Sequence, residues 1–242
     1  MPDPKLLRGL RTVELISELL RIHPEVQSLS LFEPEAVPLA QARLAGDDAS
    51  NGIVHQGLGI SEAYDAPFWD AVLLSCFGRG RAALPVLREA QFHNSGPRRE
   101  LRVDAVSWQA PQWTQLLSEV APGRMLVFRS RVLVHGGESR HIPMLDFHCP
   151  ATPENEELAA LVAGLLDVGG GFLLESGDSY HFYGNALLDD AGLVGFLGRS
   201  LLLAPIIDRA WIAHQLIEHA CGLRVSQKPG GRGGEPLVVR AI

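Results

Sequence analysis

The spacing of apolar residues along the chain predicts a series of helices. In TVELISELLRI, apolar residues recur at helical intervals, and the pattern stops before Pro24, which disfavours the helical conformation in the residue ahead of it. TPENEELAALVAGLLDV has the same spacing, with Thr152 as predicted N-cap, Pro153 in the first turn and glycines after its end. Comparable patterns predict helices within residues 65–80, 110–123, 189–202 and 208–222. Residues 34–66 give no prediction.

Runs typical of strands fill most of the remaining chain. Residues 124–148 hold two such runs joined by HGGESR, where Gly136 and Gly137 are free to adopt a positive φ. Further strands are predicted at residues 101–108, 171–177, 179–184, 223–228 and 237–242. This pattern predicts an α+β fold, with a mixed, mostly antiparallel sheet and flanking helices. Because no linker interrupts residues 100–242, we expect a catalytic-type region at 121–242. A mainly helical N-terminal part, residues 1–120, would pack on it in a role that the sequence leaves unassigned.

Composition places the chain among globular proteins, since 46% of its residues are hydrophobic and 20% are charged. The N-terminal residues do not resemble a signal peptide, and no apolar stretch is long enough to span a bilayer, so no membrane association is expected. The cysteines, Cys76, Cys149 and Cys221, form no CxxC pair, which argues against a disulfide framework and a zinc ribbon. We therefore expect a cytoplasmic protein without zinc.

The net charge of −7 argues against a protein that coats duplex DNA through bulk electrostatics. Arginines do concentrate within residues 79–81, 98–102 and 124–140. Such clusters are typical of solvated loops and strands, and they also leave room for nucleic acid held in a locally basic groove.

The end of the apolar run HIPMLDFH carries the first candidate chemistry. In an extended strand Asp146 and His148 point to one face, while Phe147 points to the other. This arrangement suits two ligands that converge on one metal ion, and it equally suits a strand end that runs out into solvent. Further along, ESGDSYHFYG places Ser179 and His181 on one face of a strand that follows a glycine turn.

A third set of polar residues follows nearer the C-terminus. IID ends at Asp208, and LRVSQK alternates Arg224, Ser226 and Lys228 onto one face of a strand. Taken singly, Asp208 could be a helix cap, and the basic strand could be an exposed surface. The loop at 229–236, PGGRGGEP, lacks the Lys-Ser/Thr ending of a phosphate-binding loop, but it could close over nucleotide or template.

In this order, the motifs resemble those of the archaeo-eukaryotic primase superfamily, the fold of replicative primase small subunits and primase-polymerases. That family carries an hhhDhD/E strand end, an sxH motif on a following strand and a later hD/E motif, and some members add a strand rich in Arg and Ser or Lys. PMLDFH, SYH, IID and LRVSQK are similar to these in turn. The resemblance covers residues 124–242, and residues 1–120 contribute nothing to it.

The resemblance implies a primase-like domain that catalyses metal-dependent, template-directed nucleotide addition, as in DNA replication. The implied catalytic and metal-binding residues are Asp146, His148 and Asp208. The implied nucleotide-binding residues are Ser179, His181, Arg224, Ser226 and Lys228. The implied cofactor is Mn²⁺ or Mg²⁺, ions that prefer hard oxygen ligands. The implied partners are nucleoside triphosphates and a single-stranded DNA or RNA template, while the sequence identifies no protein partner.

One position departs from the family pattern. His148 stands where the family has the second carboxylate of its first motif, and imidazole is a poor Mg²⁺ ligand that Mn²⁺ and softer ions tolerate. One hypothesis is therefore a Mn²⁺-favouring or one-metal nucleotidyltransferase. The alternative is a catalytically degenerate primase-like domain that binds nucleotide or single-stranded nucleic acid. A third hypothesis, an unrelated α+β protein, predicts that Asp146, His181 and Asp208 lie far apart.

Overall fold

The computed structural model describes residues 7–34, 40–44, 48–92, 97–122, 124–228 and 234–242. The chain divides into two units, one formed by residues 1–34 with 96–242 and the other by residues 35–95. These units are defined by contacts within the structure. The boundary predicted at residue 120 separated a catalytic-type region from a part without an assigned role, and it stays a prediction. Of the loop predicted at 229–236, residues 229–233 lie outside the described chain.

Helices and strands are interspersed along the described chain, with four helices in succession between β1 and β2. The helices are α1 (Thr12–Ile22), α2 (Ala40–Leu44), α3 (Asp48–Tyr64), α4 (Phe68–Leu74), α5 (Leu84–Ala90), α6 (Ala110–Ser118), α7 (Pro153–Leu165), α8 (Asp190–Leu201) and α9 (Arg209–Glu218). The strands are β1 (Val26–Pro34), β2 (Pro97–Asp104), β3 (Val127–Val134), β4 (Ser139–His141), β5 (Met144–Asp146), β6 (Gly171–Glu175), β7 (Tyr180–Gly184), β8 (Gly222–Arg224) and β9 (Leu237–Ala241). Short 3₁₀ turns lie at Gly80–Ala83 and Ala105–Ser107.

The unit of residues 35–95 is helical. It has a small core of its own, formed by Leu44, Ile53, Val54, Val72, Ala83 and Val86. Helices α3 and α4 approach closely at Gly57, where an added Cβ would come within 2.6 Å of the Val72 side chain. A larger residue at this position would therefore force the two helices apart.

The first sheet of the larger unit, sheet one, has the strand order β2-β1-β3-β4, and β8 also pairs with β3. Every pairing in it is antiparallel. Strands β4 and β8 share one edge of β3, because Arg131 pairs with His141 while Val127 pairs with Arg224. The predicted basic strand near the C-terminus therefore begins as β8, which pairs with β3 beside β4.

Sheet two has the order β5-β7-β6-β9, again with antiparallel pairings. Strand β7 is buried along its whole length, which places His181 in the interior of the protein. The chain passes from sheet one to sheet two between β4 and β5, at Ile142 and Pro143. Pro143 has no N–H with which to continue a strand ladder.

The predicted α+β class is confirmed, and several local predictions match the structure. Helix α1 ends at Ile22, ahead of Pro24. Helix α7 begins where predicted, since Thr152 Oγ1 accepts the backbone N–H of Asn155 at 3.3 Å. Gly136 and Gly137 take positive φ angles of 95° and 82° in the turn before β4.

Other local predictions were wrong in extent. The run at 141–148, predicted as one strand, is divided between the sheets: His141 ends β4 of sheet one, and Met144–Asp146 form β5 of sheet two. The strand predicted at 223–228 is regular only as far as Arg224. The helix predicted to close at Gly222 ends at Glu218, because His219 adopts the left-handed conformation with φ of 52°. Strands β1 and β2 also bring part of the predicted helical N-terminal region into sheet one.

Candidate functional site

A cleft of about 420 Å³ is lined from both sheets. Sheet two and its β6–β7 turn contribute polar residues, namely Asp146, Ser176, Asp178, Ser179 and His181. Sheet one, the residues beside it and α9 contribute Met125, Val127, Trp211, Gly222, Leu223, Arg224 and Lys228. The volume lies in the range of small-molecule binding sites.

Asp146 and His181 face each other at the centre of the polar lining. Asp146 is the last residue of β5 and pairs directly with His181 of β7, so their side chains leave the sheet side by side. The His181 Nε2 atom lies 3.7 Å from Asp146 Oδ1, which is too long for a hydrogen bond. The Asp146 side chain keeps 30% of its surface exposed, so the carboxylate is accessible from the cleft.

Asp208 lies next to Asp146, although it does not line the cleft, because the segment that precedes α9 runs along the end of β5. Its backbone N–H donates to the carbonyl of Asp146 at 2.9 Å, and Ile207 forms a β-bridge with Phe147. Its side chain caps α9, since Oδ1 accepts the backbone N–H of Trp211 at 2.9 Å. Asp208 is therefore a helix cap, as one interpretation of the sequence had it, and it also lies beside the strand end that carries Asp146.

The electrostatics of Asp146 follow from this placement. Its pKa is raised to about 7, chiefly because burial disfavours the charged carboxylate and secondly because Asp208 is negatively charged. Arg224 and Lys228 oppose the shift with their positive charges. A cation bound at this point would offset the repulsion between the two carboxylates.

His181 is held in its neutral form. Burial lowers its pKa to about 3, and the positive charges of Arg224 and Lys228 lower it in the same direction. Its Nδ1 atom is buried and has no hydrogen-bond partner in the described part of the chain. A buried polar atom without a partner is costly, and a bound ligand is one explanation of why it is retained.

Two basic residues approach the cleft from sheet one. The Arg224 guanidinium donates to the backbone carbonyls of Ser176, Ser226 at 2.9 Å and Gly234 at 3.1 Å. Lys228 Nζ donates to Asp178 Oδ2 at 3.0 Å. These contacts hold the β6–β7 turn of sheet two against the basic segment of sheet one.

The structure does not bring every predicted site residue into the cleft. His148 is half-buried, its N–H donates to the carbonyl of Ile206 at 2.8 Å, and it is not among the residues that line the cleft. The Ser226 hydroxyl accepts the backbone N–H of Leu126 at 2.8 Å, and neither Ser226 nor Asp208 lines the cleft. The predicted roles of these three residues stay predictions.

Sequence reasoning missed three polar or aromatic residues of the cleft, Ser176, Asp178 and Trp211. Ser176 and Asp178 belong to the same turn as Ser179, so their closeness to that residue in the chain was a usable signal. Trp211 lies three residues after Asp208, the position to which an N-cap bonds. Only the packing of α9 against β8 shows that its side chain reaches the cleft.

The metal site predicted at Asp146, His148 and Asp208 stays a prediction. Within the described ranges, no group of three or more His, Cys, Asp or Glu side chains could hold a metal ion by itself. Asp146 and Asp208 could hold a hard divalent ion as a pair, since Mg²⁺ is often bound by one or two carboxylates, with substrate phosphates and water completing its shell.

A comparison with protein-family models shows which family the chain belongs to. The archaeo-eukaryotic primase 1D-like model matches residues 109–235, just over half of the 242-residue chain. The chain belongs to this family. The predicted resemblance to archaeo-eukaryotic primases is confirmed, and the fold class agrees with a primase-like α+β domain. All residues that line the cleft of this archaeo-eukaryotic primase 1D-like protein lie within the matched segment.

Membership places the chain among primase-like nucleotidyltransferases, a group in which binding of nucleotides and nucleic acid is general. Searches of the curated proteins and of the solved structures find no match. None of the helices in the described chain is long and apolar enough to cross a membrane.

Proposed function

We propose that this primase-like protein binds a nucleoside triphosphate in the cleft and adds nucleotides to a strand in a template-directed, metal-dependent reaction. One observation carries the proposal: residues of the motifs PMLDFH, SYH and LRVSQK line one cleft, and Asp208 of IID lies beside the first of them without lining it. Asp146 and His181 line it, Asp208 hydrogen-bonds the backbone of Asp146, and Arg224 and Lys228 line it from the other sheet. The hypothesis of an unrelated protein required these residues to be far apart.

Asp146 and Asp208 would hold the divalent ion, Mg²⁺ or Mn²⁺. When bound, such an ion supplies charge stabilisation for phosphoryl transfer and lowers the pKa of an attacking hydroxyl. The side chain of Asp208 has one oxygen committed to the N–H of Trp211, which fixes the orientation of its carboxylate. Fixed ligands favour catalysis because they need little reorganisation during the reaction.

The triphosphate would lie along the polar lining. His181, which is neutral, would donate a single N–H to a phosphate oxygen, and Ser179 would donate its hydroxyl. Lys228 would exchange its exposed partner Asp178 for phosphate, and Arg224 would add positive charge from beside the β6–β7 turn. The other partner would be a single-stranded DNA or RNA template, and the cytoplasm is the compartment that we expect for this reaction.

Nucleotide addition by the purified full chain tests the proposal. Labelled nucleotides are supplied with Mn²⁺ or Mg²⁺ and a single-stranded template, with and without a primer. We expect extension or de novo synthesis that is abolished by EDTA and by Asp146→Ala, while Asp167→Ala, outside the cleft, retains it. If the wild type makes no product under any of these conditions, and Asp146→Ala leaves nucleotide binding unchanged, the enzymatic function is excluded.

A second candidate function rests on His148. This residue replaces a family carboxylate and does not line the cleft, which favours a degenerate domain that binds nucleotide or single-stranded nucleic acid without catalysis. The degenerate domain would bind nucleotide in EDTA, with affinity lowered by Arg224→Ala and Lys228→Ala and with a weaker dependence on salt. His148→Asp separates the two functions, because a gain of Mg²⁺-dependent addition in an inactive wild type would identify the missing carboxylate as the cause.

A further inference from the structure

The two walls of the cleft differ in character. Sheet two contributes only polar and charged side chains, whereas the side formed by sheet one and α9 adds an apolar group, Met125, Val127, Trp211 and Leu223, to Arg224 and Lys228. Val127 and Leu223 are buried, while Met125 and Trp211 are half-buried and keep surface exposed. A ligand that fits both walls has a charged, hydrogen-bonding part and a flat apolar part.

Two hydrogen bonds fix the position of Trp211. Its indole Nε1–H donates to the carbonyl of Gly222 at 3.2 Å, and its backbone N–H donates to Asp208. One helical turn later, Gln215 Oε1 accepts the N–H of Gly222 at 2.9 Å, so α9 is bound to both polar groups of that residue. An aromatic ring anchored in this way loses little conformational entropy when a ligand packs against it.

Gly222 makes this anchoring possible. A Cβ at this position would lie 3.1 Å from the Val127 side chain and 3.3 Å from the ring of Phe32, so a larger residue would push β8 away from β3. Strand β8 also carries Arg224, and the helix that carries Trp211 is capped by Asp208. The position of the indole is therefore coupled to a residue expected to hold metal and to one expected near phosphate.

We propose that Trp211 is the residue against which the base of the nucleotide stacks. The inference rests on the proposed function, because it assigns the apolar part of the ligand once the phosphates lie along sheet two. Stacking on an indole uses the π-face that every base has, so the site would accept all four bases and would favour purines over pyrimidines. Trp211 would thus make the cleft selective for nucleotides over other polyphosphates.

Two matched substitutions separate stacking from packing. Trp211→Phe keeps an aromatic face, Trp211→Leu keeps apolar volume without one, and both lose the hydrogen bond to Gly222. Equilibrium binding to the full chain is measured with ATP and with inorganic tripolyphosphate, which has the phosphates but no base. Thermal denaturation of each variant checks that the fold is retained.

We expect Trp211→Leu to weaken ATP binding about tenfold and Trp211→Phe about threefold, with tripolyphosphate affinity unchanged within about twofold. Equal losses in the two variants, or an equal loss for tripolyphosphate, would mean that Trp211 only supports the wall of the cleft. A wild type that binds ATP no better than tripolyphosphate would also overturn the stacking role while leaving the proposed function intact. A wild type that binds neither ligand would overturn both.

Discussion

Two buried histidines, each beside an aspartate, occupy neighbouring parts of the larger unit and differ in one respect. His141 of β4 is fully buried and makes two hydrogen bonds, from Nε2 to Asp190 at 2.9 Å and between Nδ1 and Ser130 at 3.2 Å. His181 of β7 is 5% exposed, lies 3.7 Å from Asp146 and leaves Nδ1 without a partner among the described residues.

The hydrogen-bond network of His141 is complete in itself. Ser130 Oγ accepts the N–H of Cys221 at 2.8 Å, so its own proton is free to donate to Nδ1 of His141. The imidazole then donates its Nε2–H to Asp190, whose side chain is largely exposed. This network joins β3, β4, α8 and the residue before β8, and its satisfied groups leave nothing for a ligand to bind.

The contrast shows how a structural histidine differs from a binding one. Both have a pKa that burial lowers, so the titration alone does not distinguish them. The difference lies in the aspartate: Asp190 faces solvent, whereas Asp146 is repelled by Asp208 and faces a cleft. Unsatisfied groups that line a cleft indicate a site whose interactions are completed by a ligand.

Replacing each histidine with leucine tests this contrast, and His141→Leu should give the largest change in stability. His141→Leu leaves the Ser130 hydroxyl without its acceptor in a buried place, and we expect a loss of about 2–3 kcal/mol in the free energy of unfolding. His181→Leu removes a group that was already unsatisfied, so the expected change is below about 1 kcal/mol. Urea denaturation measures both. Equal losses would show that His181 is as structural as His141.

Replacing Asp146 and Asp190 with asparagine should change the stability of the fold in opposite directions. Because folding raises the pKa of Asp146 to about 7, its carboxylate destabilises the folded state as the pH rises from about 4 through 7. Asp146→Asn should therefore stabilise the metal-free protein by about 1–2 kcal/mol at pH 8, allowing for the solvent that reaches the cleft, and should have little effect at pH 4. Urea denaturation in EDTA at both pH values measures the change.

Asp190→Asn is the matched control for this gain, because it keeps an oxygen that accepts from His141 while it removes the charge at the start of α8. It should lower the urea midpoint slightly at pH 8. A loss of stability in Asp146→Asn would contradict the repulsion that we assign to the two carboxylates.

Much of the local structure could be predicted because its causes are local. The cap at Thr152 and the end of α1 before Pro24 depend on residues within one turn. Strand β7 was predicted one residue too long, because Ser179 lies in the turn before Tyr180, but the strand that carries His181 follows from the local pattern. These signals placed Asp146, His181 and Asp208 in order along the chain, and the fold then brought them together.

The remaining features depend on contacts that are distant in sequence. Strand β1 was not predicted, and it carries Glu33 in a buried position where Arg99 of β2 is its partner. The division of one apolar run into β4 and β5 is decided by which sheet each half joins. The position of Trp211 in the cleft involves β8, because its indole N–H donates to the carbonyl of Gly222.

The pH dependence of stability tests whether His141 stays neutral in the fold. Burial lowers the pKa of His141, so its contribution to stability is complete above the unfolded value of about 6.5 and is lost as the pH falls below it. The loss is at most about 1.4 kcal/mol per pH unit while only the unfolded imidazole is protonated. His141→Leu should therefore flatten the decline in stability between pH 6.5 and 5. An unchanged slope in His141→Leu would mean that His141 is protonated in the fold.

The ion pair between Lys228 and Asp178 tests whether a satisfied group can still belong to a binding site. Both side chains are exposed, 50% and 69% respectively, so the pair adds little stability and phosphate could displace it at low cost. Lys228→Gln should weaken tripolyphosphate binding about threefold at low salt, and Asp178→Asn should strengthen it about twofold, with neither changing the urea midpoint. In the double variant the gain from Asp178→Asn should largely disappear, because the carboxylate competes with phosphate for Lys228 itself. If Asp178→Asn instead weakens binding, Asp178 supports the ligand rather than competing with it, and satisfaction by hydrogen bonds would no longer separate structural from binding residues in this protein.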